Sequence, residues 1–270
     1  MTPQSWQVLG ALGRLDQDDD FAADRMPRPD ADWTCIAAAA AQERVTAVVI
    51  ARLTEAAHPI PAPLVGLAAA VSERRTRLEH TITACAKALT GIDRYLVTKG
   101  PALSGNYPAP GLRESNDLDI VVPDNDTAGA VATALRNQGW HLTANSPGDF
   151  TLAPPVADLL PVDVTAGLAM PDLAWADVVA AAGRPAGSGL RLSDPGYALL
   201  TMLAATLHSG RARLRDLNDI WAVRRSVFRT GAPNRWHRDP RAGRLASAWA
   251  DAFPDEQARA GLEDVFELRR

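Results

Sequence analysis

Lys99-Gly100-Pro101-Ala102-Leu103, followed by Asn116-Asp117-Leu118-Asp119-Ile120-Val121-Val122, is the stretch whose reading decides how this chain folds. The apolar run Tyr95-Leu96-Val97 leads into it. Asp117 and Asp119 stand two apart and pass at once into Ile120-Val121-Val122. On a strand, both carboxylates then project from one face while Leu118 and Ile120 turn to the core. Two like charges held that close repel unless something positive sits between them. Hard cations such as Mg2+ prefer carboxylate oxygen. Upstream, Lys99-Gly100 reads as a strand-to-helix turn. A glycine there lets the backbone approach a ligand, the helix N-terminus offers free N–H groups to a phosphate, and Lys99 adds a point charge. The stretch therefore implies a metal site beside a phosphate-handling turn. No GxxxxGK[ST] occurs, so the turn is not a Walker A loop.

Further residues extend this constellation. Asp163 sits in Pro161-Val162-Asp163-Val164, an apolar strand in which an unpaired carboxylate is costly. Placed beside the Asp117 strand, it completes three convergent carboxylates, enough to hold Mg2+ and to clamp the attacking and leaving oxygens of an in-line phosphoryl displacement. The alternative is that Asp117 and Asp163 only cap turns at strand ends. Arg113, in Arg113-Glu114-Ser115-Asn116, has the planar fork suited to a triphosphate or a leaving pyrophosphate. Ser115 either binds a phosphate oxygen or ends the loop. A later set comprises His208, Arg213, Arg215, Asp216 and Asp219. His208 either reaches the nucleotide or acceptor or makes a structural hydrogen bond at a helix end, and Arg215 and Asp219 are spaced to pair.

Outward from this centre the pattern is helical. On the N-terminal side, a helix is expected over Ser5 to Leu15, a helical pattern over Asp32 to Ala56, and a long helix over about Ala62 to Ile92. The acidic run Gln17-Asp18-Asp19-Asp20 reads as a solvated linker rather than a metal cluster. Residues 94–168 alternate short β-like runs with turns and one amphipathic helix, Asp126 to Gln138, closed by Gly139. Beyond Ala169 the chain is helical again. Gly183 to Gly189 forms a loop, Ser193-Asp194-Pro195 starts a strong helix, another spans Arg211 to Phe228, and one or two close the chain from Pro240. The fold class is α+β, a small mixed sheet flanked by helical regions, divided as 1–92, 93–168 and 169–270.

Composition excludes several classes. The chain has 270 residues, 47% hydrophobic and 22% charged, ordinary for a globular protein. Its formal net charge of -4 argues against a broad nucleic-acid surface. Arginines do cluster between Arg211 and Arg229. With two cysteines, Cys35 and Cys85, and no CxxC pair, neither a disulfide framework nor a structural zinc is expected. No signal peptide or membrane-spanning run is visible, so a cytoplasmic location and no membrane partner are expected.

Taken in order, these motifs resemble the polymerase-β-like nucleotidyltransferase superfamily, and within it the uncharacterised nucleotidyltransferase family found in bacteria. The resemblance is carried by Val97-Thr98-Lys99-Gly100-Pro101-Ala102-Leu103, Tyr107-Pro108, Arg113 and Asp117-Leu118-Asp119-Ile120-Val121-Val122. It continues through Gly139-Trp140, Val162-Asp163-Val164, His208 and Arg215-Asp216-Leu217-Asn218-Asp219, over about residues 32 to 225. It implies a sheet core of nucleotidyltransferase type and transfer of a nucleoside monophosphate from an NTP to an acceptor, with Mg2+. Asp117 and Asp119 would hold the metal, Asp163 would be the third carboxylate and help activate the nucleophile, and Lys99 and Gly100 would lie at the phosphates. Many members carry Gly-Ser at the phosphate turn, where this chain has Lys-Gly-Pro. Lys-Gly is also seen in toxin-type members that act on tRNA ends. The acidic balance favours a small-molecule or peptide acceptor, because a tRNA enzyme should display a large basic surface. The alternatives are a toxin-like tRNA nucleotidyltransferase, docking through Arg211 to Arg229, and a catalytically silent module that binds nucleotide or a partner.

Overall fold

The computed structural model describes residues 3–15, 31–168, 170, 173–182, 189–230, 235–266 and 268. In chain order they form helices α1 (Pro3–Gly13), α2 (Trp33–Glu43), α3 (Thr46–Glu55) and α4 (Ala62–Ala88), then strand β1 (Leu96–Val97) and helix α5 (Gly100–Ser104). Next come β2 (Leu118–Val122), α6 (Asn125–Asn137), β3 (His141–Ser146), β4 (Asp149–Ala153) and β5 (Val162–Ala166). The chain closes with α7 (Trp175–Ala181), α8 (Pro195–Ser209), α9 (Leu214–Thr230), α10 (Pro240–Ala252) and α11 (Glu256–Val265). The run Gln17 to Asp20 and residues 183–188 of the expected loop lie outside the described residues.

The strands make one mixed sheet in the order β1-β2-β5-β4-β3. β1 runs antiparallel to β2, pairing Leu96 with Val121 and Val97 with Ile120. β2 and β5 are parallel, which sets Asp119 directly opposite Asp163. A parallel pair needs a crossover, here α6 with the β3–β4 hairpin. Asp124 starts α6 by accepting from Thr127 N at 2.8 Å, and Gly139, at φ +88°, ends it in the left-handed conformation that costs glycine little.

Alternation along β2 divides the core. Leu118, Ile120 and Val122 pack with Val131 and Leu135 of α6 and Cys85 and Leu89 at the end of α4. Val121, of opposite parity, packs with α8 and the closing helices. Asp117 and Asp119 share the parity of Val121 and therefore look toward the α8 side. Asp194 begins α8 by accepting from Gly196 N and Tyr197 N at 3.0 and 3.1 Å, and most of the helix is buried.

The N-terminal helices α1 to α4 build a third core around Leu9, Leu12, Val45, Val49 and Leu64. The helical pattern expected over Asp32 to Ala56 is broken at Arg44, which adopts φ 57°, ψ 45° and ends α2. The break lets Glu43 point at the start of α9, where one carboxylate oxygen accepts from Leu214 N and the other from Arg211, each at 3.0 Å.

Candidate active site

β1 stops at Val97, and two residues later the chain turns into α5. Lys99 makes the turn with φ 49°, ψ -107°, a conformation that side-chain-bearing residues rarely adopt. Its carbonyl accepts from Leu103 N at 2.8 Å to open α5, and its ammonium reaches Asp119 Oδ1 at 2.6 Å. Beyond Asp119 on the sheet lies Asp163, whose Oδ1 is buried without a hydrogen-bond partner. Asn116 Oδ1 is in the same condition. Asp117 stands just before β2. Burial pushes its carboxyl above the usual range, the charges of Asp119 and Asp163 push it further, and Arg44 and Lys99 pull it back.

The three carboxylates expected to converge are neighbours: Asp119 and Asp163 face each other across β2 and β5, and Asp117 feels both. Among the described residues no three acidic, histidine or cysteine side chains converge to hold a metal ion. One Asp119 oxygen is engaged by Lys99 at 2.6 Å. The donor set nevertheless suits a hard cation. Asp163 and Asn116 each leave a buried oxygen unpaired, and such an acceptor is costly without a partner.

The structure places Arg113 and Ser115 in a buried network with Asp219. The Arg113 guanidinium is 2% exposed and clasps Asp219, itself 0% exposed, through Nε at 2.8 Å and Nη2 at 2.9 Å. Its remaining nitrogen donates to Ser115 Oγ at 3.0 Å. Tyr107 adds its hydroxyl to Asp219 at 2.6 Å. Burial and the Asp219 charge hold the Tyr107 phenol well above its ordinary range. Ser115 Oγ in turn lies where a side chain on Gly100 would go, because a Cβ there would meet it at 2.5 Å. Gly100 is thus required by close approach, and Arg113 and Ser115 support the Lys99-Gly100 turn from behind. The expected Arg215–Asp219 pair is replaced by Arg215 with Asp216 at 2.9 Å, since Asp219 is already engaged by Arg113.

In front of the turn is a cavity of about 360 Å³, lined by Lys99, Asp119, Gly167 and Thr201 among others, with His208 at its border. His208 is exposed near the end of α8. Gly167, directly after β5, lines the cavity and was not among the residues the sequence singled out, although a glycine at a strand end could have marked it. Arg44 had no such mark, since nothing in Glu43-Arg44-Val45 signals a helix break. Several of the late arginines have partners within the fold. Arg211 pairs with Glu43, Arg215 with Asp216 and Arg224 with Asp264, while Arg225 lies over the Trp221 ring at 5.1 Å. Among the described residues no helix is long and apolar enough to cross a membrane.

No curated protein matches the sequence. Among solved structures, an antigenic nucleotidyltransferase-like protein from Paracoccidioides brasiliensis is similar, with a TM-score of 0.45 and 16% identity over 70% of this chain and 94% of that one. The antibiotic-resistance factor ANT(2'')-Ia is similar with a TM-score of 0.41 and 13% identity, over 69% of this chain and 94% of its own. The decisive match is to a family model described as uncharacterised nucleotidyltransferase, which spans residues 29–238 and so contains the Lys99 turn, both strand aspartates and the α8–α9 pair. This chain belongs to that nucleotidyltransferase family.

Proposed function

We propose that this enzyme uses Mg2+ to transfer a nucleoside monophosphate from an NTP to a small-molecule or peptide acceptor. The observation that carries the proposal is the contact of Lys99 with Asp119 at the cavity, with the unpaired oxygen of Asp163 one strand away. Asp117, Asp119 and Asp163 would hold the metal. When bound, Mg2+ neutralises charge on the phosphates and on the departing pyrophosphate.

The chain's own groups supply the rest. Lys99 neutralises Asp119 in the free protein and presents an ammonium to the phosphates in the complex. The Gly100 turn brings backbone N–H groups close to them. Asp163 accepts the proton of the attacking acceptor group, for which its unpaired Oδ1 is available. His208 contacts the nucleotide or the acceptor from the border of the cavity. Arg113 and Ser115 act one step back by fixing the turn. The net charge of -4 and the separate pairing of the late arginines favour a small acceptor over tRNA. The free cysteines Cys35 and Cys85 fit a reducing, cytoplasmic setting.

The test is incubation of the pure protein with Mg2+ and each α-labelled NTP, offering cell extract and total tRNA separately, with Asp119→Asn as control. Label transferred to an acceptor by the wild type and lost in the variant is the expected result, and the labelled fraction identifies the acceptor class. A folded protein that neither transfers label nor binds any NTP would overturn the proposal and leave a silent binding module.

A further inference from the structure

The break at Arg44 has a counterpart across the interface between α2 and α9. Glu43 fastens the end of α2 to Arg211 and to the first amide of α9, as described above. The next residue, Arg44, takes a left-handed backbone conformation that arginine seldom adopts, beside the Glu43–Leu214 contact, and its guanidinium feels the charges of Arg213 and Arg215.

The carboxylates near Arg44 are already engaged: Glu114 and Asp117 both feel its charge, but Glu114 accepts from Ala47 N at 3.0 Å and from Arg74 at 3.3 Å. Arg215 is paired with Asp216 through Nε at 3.2 Å and Nη2 at 2.9 Å. The other oxygen of Asp216 is occupied by Arg213 N at 2.9 Å. The Nε of Arg213 is buried with no partner, and among the described residues Arg44 forms no ion pair. Burial, together with the charges of Arg215 and Arg213, pushes the Arg44 guanidinium down to about 10, against the pull of Asp117 and Asp216. Cations gathered in a partly dry place with donors unspent are unfavourable until an anion joins them. Asp117 feels Arg44 directly, so the cluster borders the carboxylates of the candidate site. None of the three arginines lines the cavity beside Lys99.

We propose that Arg44, Arg213 and Arg215 form a second, anion-binding pocket next to Asp117, which holds a phosphate or carboxylate group of a substrate. Guanidinium forks match the oxygens of such groups, and an incoming anion meets donors that the protein itself leaves unused. Assigning the anion to a substrate rests on the transferase proposal above. Its source is either the phosphate tail of the NTP or an acidic group on the acceptor.

The experiment is calorimetric titration of the full chain with inorganic pyrophosphate in EDTA, so that no metal contributes. The wild type is expected to bind. Arg44→Gln and Arg213→Gln are each expected to weaken binding by about tenfold or more, while Arg136→Gln, an exposed change on α6, leaves it unaltered. Arg44→Lys, which keeps the charge without the fork, should fall between, and melting curves of each variant separate lost binding from lost fold. No pyrophosphate binding by the wild type, or equal binding by folded Arg44→Gln and Arg213→Gln, would overturn the pocket. Repeating the titrations with ATP separates the sources. A parallel loss of ATP affinity assigns the pocket to the nucleotide tail, and unchanged ATP affinity assigns it to the acceptor. Asp119→Asn should still bind pyrophosphate in EDTA and, assayed separately with Mg2+, lose transfer, so the pocket and the transferase proposal fail separately.

Discussion

Two ion pairs near each other in the fold are built to opposite specifications. Arg113–Asp219 is sealed, at 2% and 0% exposure, with both aspartate oxygens used and a tyrosine hydroxyl added. Lys99–Asp119 is open, at 30% and 16% exposure, uses one oxygen and borders the cavity. A buried pair satisfied on all sides has no capacity left for a ligand, and breaking it leaves a stranded charge. A partly solvated pair holds its partner weakly and can exchange it. Charge thus serves as frame in one place and, in the proposed function, as working site in the other, and exposure with unspent valence tells them apart.

The largest effect should come from breaking the sealed pair. Asp219→Ala strands Arg113 and Tyr107 together, and urea unfolding should show a loss of about 3–5 kcal/mol. Removing the open pair should behave in reverse. Asp119→Asn should cut transfer by about 10²–10³-fold with little change in the unfolding midpoint. The link between the two regions is Gly100 against Ser115. Gly100→Ala overpacks that contact and should cost about 1–3 kcal/mol, part of which returns in the Gly100→Ala, Ser115→Ala double variant, a coupling that a double-mutant cycle measures.

The smallest effect sharpens the contrast through pH. The Asp117 carboxyl lies above its usual range, chiefly through burial and then through Asp119 and Asp163. The folded protein therefore binds this proton more tightly than the unfolded chain does. The corresponding stability is fully present below the ordinary carboxylate pKa of about 3.9 and is lost as pH rises through the raised value. Asp117→Asn, neutral throughout, should escape that loss. Melting curves at neutral pH should show it more stable by about 0.5–2 kcal/mol, with the gain shrinking on acidification and catalysis impaired.

The strands around the site were legible because alternation and flanking turns mark them, and β2 and β5 fall within a residue of where the sequence places them. The pairing of Asp119 with Asp163 was only conditional, since register between strands separated by α6 and a hairpin is a property of topology. The Arg113 pairing is hidden from the sequence for a comparable reason. Its partner is 106 residues away, and an arginine that deep is rare enough that solvent or ligand is the natural expectation. Arg44 escaped notice because a left-handed helix end normally carries glycine or asparagine, whereas here Glu43 is fastened to α9 by contacts no local pattern reveals.

Val97 has a second neighbour besides β2. Its N–H donates to Arg191 O at 2.9 Å and its carbonyl accepts from Ser193 N at 2.9 Å, while Thr98 Oγ1 meets Thr201 Oγ1 at 2.8 Å. The strand that feeds the Lys99 turn is therefore stitched to the lead-in of α8. In hydrogen exchange, the amides of Val97 and Ser193 should emerge in one opening event, as a single cooperative unit. Loosening α8 would then release the turn, and a ligand that clasps the turn would slow exchange at the start of a helix nearly 100 residues further along the chain.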